Sequence, residues 1–244
     1  MTNTVDILGV KISSLGIDGS ADNIMNLLEE DGFHYVFTPN SEMVMAAVND
    51  KEFENVLNSA DLLTADGIGI IYASKILGNP IAERASGYDI SLKLIEKAAL
   101  TGKTLYLFGA APSVADKAKE ALEAKFSGIK IVGTHDGYFD EAEEKRIILD
   151  INTKKPDFLF VCLGCPKQEN WIFKNKDKLD VKVAMGLGGC LDVYAGNVKR
   201  APEIFIKLGL EWFYRLMKEP KRFFRMLALP KFMLRVIWHK LTGK

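Results

Sequence analysis

Between Thr104 and Gly186 the chain alternates in a way that leaves few folds open. Thr104–Gly109 (T-L-Y-L-F-G), Lys130–Gly133, Asp157–Gly164 (D-F-L-F-V-C-L-G) and Val181–Gly186 are short apolar runs of strand length. Between them, Ser113–Phe126, Glu141–Asn152 and Pro166–Lys174 read as helices. Strands that alternate with helices lie parallel, with helices on both faces of the sheet. The expectation is an α/β fold, Rossmann-like, with a mostly parallel sheet. Ligands of such sheets lie beyond the carboxyl ends of the strands. The polar residues that stand out fall at such ends: Thr38 and Asn40, Asp66, Gly109, Lys167 and Gln168, Gly188 and Gly189.

The first hundred residues read less regularly. Val5–Ser14 alternates around Gly9 and suits a small hairpin. Helices are expected over Ala21–Glu30, Glu42–Val48, Phe53–Ser59, Ile68–Leu77 and Asp89–Ala99. His34–Thr38 is a short strand stopped by Pro39.

Net charge is zero over 244 residues, but the balance is uneven. Gly196–Lys244 holds twelve of the 32 Lys and Arg and three of the 32 Asp and Glu, which leaves 20 basic against 29 acidic residues before it. The expected division is an α/β body over residues 1–195 and a basic helical appendage over 196–244. Helical patterns run over Pro202–Lys218, Pro220–Leu229 and Pro230–Leu241, where Arg215, Lys218, Lys221, Arg222 and Arg225 interleave with Phe213, Phe223, Phe224, Leu227 and Trp238. Basic and aromatic residues on short amphipathic helices fit a membrane surface. Packing on the body and a nucleic-acid patch are the alternatives, the latter disfavoured because the apolar content is too high for a purely electrostatic binder. No charged start leads into an apolar stretch and no run of about 18 apolar residues occurs, so neither a leader nor a spanning helix is expected. Three cysteines make no disulfide framework, and a cytoplasmic chain is expected. The three histidines lack metal-ligand spacing, and Cys162-Leu-Gly-Cys165 reads as structural or incidental, so no metal is expected.

Four stretches carry candidate chemistry. In Leu62–Gly69 (L-L-T-A-D-G-I-G), Asp66 sits between an apolar run and a helical pattern, with little bulk beside it. It is either a turn or N-cap carboxylate, or a general base within reach of a substrate proton. Gly109-Ala-Ala-Pro-Ser113 follows a strand and opens a helix, either as a phosphate-binding turn or as a tight turn alone; Ser113 and Asp116 have capping-box spacing. Gly164-Cys-Pro-Lys-Gln-Glu-Asn-Trp171 is either a solvated first helical turn, or one that sets Lys167 beside free helix amides for diphosphate oxygens and Gln168 for a sugar hydroxyl or the base. Gly186–Gly196 holds Gly188, Gly189 and Asp192, a carboxylate suited to ribose hydroxyls. Arg84 is a candidate anion contact in a polar loop, and Tyr138 joins the nucleotide-binding candidates.

Taken together, T-P-N at Thr38–Asn40, T-A-D-G-I-G at Thr64–Gly69, G-C-P-K-Q-E at Gly164–Glu169 and G-L-G-G with Asp192 resemble the WecG/TagA/CpsF glycosyltransferase family. The basic appendage most resembles its TagA branch. The resemblance implies an inverting transfer of N-acetylmannosamine from UDP-N-acetylmannosamine to undecaprenyl-diphosphate-linked N-acetylglucosamine, an early step of wall teichoic acid synthesis. A related UDP-sugar transferase of enterobacterial common antigen or capsule type, and a non-catalytic nucleotide-binding module, are the alternatives. It further implies Asp66 as the base, with Thr38 and Asn40 holding the sugar or orienting that base. No D-x-D occurs, so no chelated metal and no cofactor is expected, and Lys167, Arg84 and tail arginines such as Arg215, Arg222 and Arg225 are left to balance the leaving diphosphate. The implied partners are the UDP-sugar, the lipid-linked acceptor and the inner face of the cytoplasmic membrane; no nucleic acid is implied, and a homo-oligomer is compatible with the reading.

Overall fold

Side chains of a strand alternate between faces, so a strand buried on both sides must be apolar throughout. The computed structural model, which describes residues 4–218 and 227–243 and Arg215 by its backbone alone, places four such strands side by side. In β5 (Thr104–Gly109), Leu105 and Leu107 enter one core and Tyr106 and Phe108 the other. β7 (Phe158–Cys162), β8 (Val183–Gly186) and β3 (His34–Phe37) divide their side chains the same way. With β4 (Leu62–Leu63) and β6 (Lys130–His135) they form a six-stranded parallel sheet in the order β4-β3-β8-β7-β5-β6. A separate antiparallel hairpin pairs β1 (Thr4–Ile7) with β2 (Val10–Ser13) and packs on the first core.

Helices cover both faces, as the alternation requires. The first face carries α2 (Ser41–Asn49), α3 (Lys51–Asn58), α4 (Ile68–Leu77), α7 (Glu141–Lys154) and α8 (Lys167–Asn175). The second carries α1 (Ile17–Leu27), α5 (Gly87–Thr101), α6 (Val114–Lys125) and the short α9 (Cys190–Tyr194).

The tail departs from the expected pattern. Pro202–Lys218 is two helices, α10 (Glu203–Lys207) and α11 (Glu211–Lys218), broken at Gly209 in the left-handed conformation (φ +71°). A Cβ at Gly209 would stand 2.8 Å from Ile68, so the break rests on the first turn of α4. The last helix, α12 (Ala228–Thr242), starts two residues before Pro230 and packs on α2 and α4. Its Phe232 and Val236 are fully buried in the first core, so part of the 196–244 stretch belongs to the body's packing. Most of Pro220–Leu229 lies outside the described residues. The capping box at Ser113 does not form: Ser113 sits at φ +68° with no side-chain cap bond, and Asp116 accepts from the Thr134 hydroxyl instead.

Candidate functional site

The sheet order has a switch between β5 and β7. From β5 the chain moves outward to β6, and from β7 it moves the other way to β8. Loops that leave adjacent strands in opposite directions open a crevice at the carboxyl edge. Here it is a cleft of about 660 Å³ lined by Ala110, Ala111, Gly137, Tyr138, Phe139, Cys162, Leu163, Lys167 and Asp192.

Each wall has a local cause. Gly109 takes φ +127°, and a Cβ there would lie 2.3 Å from the Cys162 carbonyl, so the turn after β5 needs glycine. Ala110 follows at φ +62°; its N–H donates to Cys162 O (2.9 Å) and its carbonyl accepts from Gly137 N–H (2.8 Å). That pair of bonds ties the loops after β5, β6 and β7 together. Lys167 opens α8, donates its Nζ to Gly137 O (3.1 Å) and lies 4.5 Å from the centroid of the Phe139 ring. Tyr138 is largely exposed at the rim. Asp192, in the first turn of α9, accepts from Asn197 Nδ2 at 3.4 Å. Cys162 is buried, and burial pushes its thiol up to about 12; no cysteine is disulfide-bonded. A C-x-x-C redox role has no support in such a thiol.

A second cluster lies along the same edge, beyond β3 and β4. Asp66 follows β4; its N–H donates to Pro39 O and Thr64 O (both 3.1 Å), which holds the loop against the end of β3. Gly67, at φ +85°, takes the N-cap position of α4, so Asp66 is not that helix's cap. Asn40 is the N-cap of α2, its Oδ1 accepting from Glu42 N–H (2.9 Å) and Met43 N–H (3.1 Å). Thr38 is buried and donates its hydroxyl to Gly186 O at 3.4 Å.

Arg84 belongs to this cluster. Its Nη1 lies 2.8 Å from Glu211 Oε2 on α11, and its Nη2 lies 3.6 Å from Asp89 Oδ2. Burial works against its charge, but Asp66, Glu211 and Asp89 outweigh burial and hold the guanidinium above its ordinary range. Arg200 pairs with Asp89 (2.6 Å) and covers the Tyr88 ring at 4.6 Å from its centroid. The appendage therefore contributes Glu211 to the neighbourhood of Asp66, a contact the sequence reading did not foresee. The side chain of Arg215, and Arg222 and Arg225 altogether, lie outside the described residues.

Gln168 joins the two clusters rather than facing the cleft. It is buried, and its Oε1 accepts from Gly164 N–H (3.2 Å) and Gly188 N–H (2.9 Å) while its Nε2 donates to Glu169 Oε1 (2.7 Å). Its side-chain bonds among the described residues are thus internal, where the sequence reading expects a sugar hydroxyl or the base. Gly186 leaves the room: a Cβ there would stand 3.0 Å from Gln168 Nε2. Gly188 and Gly189 are not among the residues that line the cleft; a Cβ at either would meet open space, and Gly189 takes the N-cap position of α9.

Glu169 was quoted in its motif and given no role. The readable signal was its place on the buried stripe of α8 with Ile172, where a carboxylate is out of pattern.

Comparison with known proteins agrees with this arrangement. The chain is 40% identical over 214 residues to an N-acetylglucosaminyldiphosphoundecaprenol N-acetyl-beta-D-mannosaminyltransferase of Bacillus spizizenii, covering 87% of this chain and 82% of that protein. Proteins of the same name from Bacillus subtilis (38% over 202 residues, covering 83% and 78%) and Staphylococcus aureus (35% over 237 residues, covering 96% and 92%) are also similar. The description "Glycosyl transferase WecG/TagA/CpsF family" matches residues 5–244. With a switch-point cleft, its lysine and carboxylate walls and a match over nearly the whole chain, this protein belongs to the WecG/TagA/CpsF family of glycosyltransferases.

Proposed function

We propose that the protein moves N-acetylmannosamine from UDP-N-acetylmannosamine to undecaprenyl-diphosphate-linked N-acetylglucosamine, forming a β-1,4 bond with inversion, in wall teichoic acid synthesis at the inner face of the cytoplasmic membrane. The names of its relatives supply the donor sugar and the acceptor class. The observation that carries the reading is the pairing of two sites on one sheet edge: a cleft with Lys167, and a half-exposed Asp66 not used as a helix cap.

In this reading UDP lies in the cleft, its diphosphate near Lys167 and the turn after β5 at Ala111, its ribose near Asp192 and its base near Tyr138. The acceptor's 4-hydroxyl oxygen attacks C1 of the donor sugar from the face opposite the diphosphate. The C1–O bond breaks, UDP departs with the electron pair, and Asp66 takes the hydroxyl proton. One in-line displacement turns an α-linked donor into a β-linked product. Positive side chains and oriented amides balance the leaving charge, with no chelated cation in the scheme.

The membrane part rests on the tail. Ten of the fifteen large apolar side chains exposed among the described residues lie between Ile204 and Leu241, so exposed apolar bulk is concentrated in this part of the chain. On α12, Leu234, Ile237, Trp238 and Leu241 form one outward stripe while Phe232 and Val236 face the body. No helix of the described residues is long and apolar enough to cross a membrane, so contact in this reading is lateral.

The test is UDP release from UDP-N-acetylmannosamine with a soluble lipid-linked N-acetylglucosamine analogue and EDTA present, comparing the parent with Asp66→Asn. The expected result is release by the parent and a loss of about 100-fold or more in the variant. Equal rates would remove Asp66 as the base, and dependence on an added divalent cation would overturn the metal-free scheme.

A further inference from the structure

A side-chain amide reads the same in shape whichever way it faces, so its orientation is set by what surrounds it. Gln168 has two backbone N–H groups on one side, Gly164 at 3.2 Å and Gly188 at 2.9 Å, and Glu169 Oε1 at 2.7 Å on the other. Only one orientation serves all three: oxygen to the glycines, nitrogen to the carboxyl. We propose that Glu169 is a positioning residue of the donor cleft, acting through Gln168 to hold the loop after β7 against the loop after β8. The proposal rests on the assignment of that cleft to the UDP-sugar.

Three observations carry it. Glu169 is completely buried and makes no ion pair among the described residues; its carboxyl meets Gln168 and the Cys165 thiol instead, so the group is retained at a cost in desolvation. Its Oε1 accepts from Gln168 Nε2 at 2.7 Å and so fixes which way that amide faces. Second, Gly164 and Gly188 lie in the stretches after β7 and β8 from which Lys167 and Asp192 reach the cleft lining, so the shared oxygen of Gln168 ties those two stretches together behind it. Third, Gln168 packs on Gly186, whose carbonyl accepts from Thr38, so the same contact leads to the strand end beside Asp66. Burial raises the Glu169 carboxyl to about 7 against bonds from Gln168, its own backbone and the Cys165 thiol, in line with a group desolvated for its position.

The test uses the full chain with three substitutions. Glu169→Gln keeps an acceptor at the same reach; Glu169→Asp withdraws it by one methylene; Glu169→Leu removes it. Hydrogen exchange at the Gly164 and Gly188 amides reports the Gln168 bonds directly, and titration with UDP reports the cleft. Glu169→Asp and Glu169→Leu are expected to exchange at least tenfold faster at both glycines and to bind UDP about tenfold more weakly, and Glu169→Gln to rescue both. If Glu169→Leu fails to fold, Glu169→Asp decides. Parent-like exchange in Glu169→Asp would overturn the proposal, as would faster exchange with parent-like UDP affinity. A parent that binds no UDP would overturn the donor-cleft reading itself, and exchange alone would then still show whether Glu169 fixes Gln168.

Discussion

A carboxyl cut off from water keeps its proton to higher pH, and Glu169 does so, from its ordinary 4.5 to about 7. The folded chain therefore holds a proton there that the unfolded chain releases. The stability this contributes is complete below the unfolded value and is lost as pH rises through the folded one. A shift of this size corresponds to about 3 kcal/mol at most. Urea unfolding of the parent and of Glu169→Gln at about pH 5 and about pH 8 checks it: the parent should lose about 1–3 kcal/mol more than the variant across that interval. Parallel behaviour would place the proton elsewhere. Arg84 shows the opposite case, where burial is outweighed by three carboxylates and the positive charge is secured. Glu211 and a substrate phosphate would be rivals for the same guanidinium.

At the scale of elements, α12 is the informative one. Its two apolar faces have different occupants: Phe232 and Val236 sit between α2 and α4, while Leu234, Ile237, Trp238 and Leu241 look outward. Gly69 makes the close approach possible, since a Cβ there would stand 2.7 Å from Leu229. Phe232→Ala should cost about 3 kcal/mol in chemical unfolding, the usual price of emptying a buried aromatic site; a cost below about 1 kcal/mol would show that α12 does not close the core. Here the limits of sequence reading are also plain. Strands β5 and β7 are legible because both faces are buried and, after Thr104, no residue in either departs from the unbroken run of buried, mainly apolar side chains. β4, two residues long, was legible only as a lead-in to Asp66. Periodicity ran straight through Gly209, since a single left-handed residue leaves the apolar spacing intact. Lys167 is legible by its position at a strand end and Asp192 by the glycine-rich stretch that holds it, and the fold brings both to one cleft with Tyr138. Gln168 was read as a ligand contact because its type fits one; the bonds that occupy it come from glycines 4 and 20 residues away in the chain. Glu211 reaches Arg84 across 127 residues, a pairing no local pattern encodes.

For the whole molecule, the division of charge gives a direction. An acidic body and a basic tail would orient the protein on an anionic surface with the tail toward it. Binding to vesicles containing anionic lipid should exceed binding to neutral vesicles and weaken as salt is raised. Replacing Ile237 and Trp238 with Ser should cut it about tenfold by removing apolar burial. Binding that ignores both lipid charge and the substitutions would send the tail's exposed side chains to another partner. The seat of α12 also sets an order of manufacture. Helices α2 and α4 leave the ribosome before the sheet has its third strand in sequence, yet the helix that covers them is made after all six strands. Throughout synthesis their apolar backs stand open, so the nascent chain presents to chaperones the surface that the finished protein closes last.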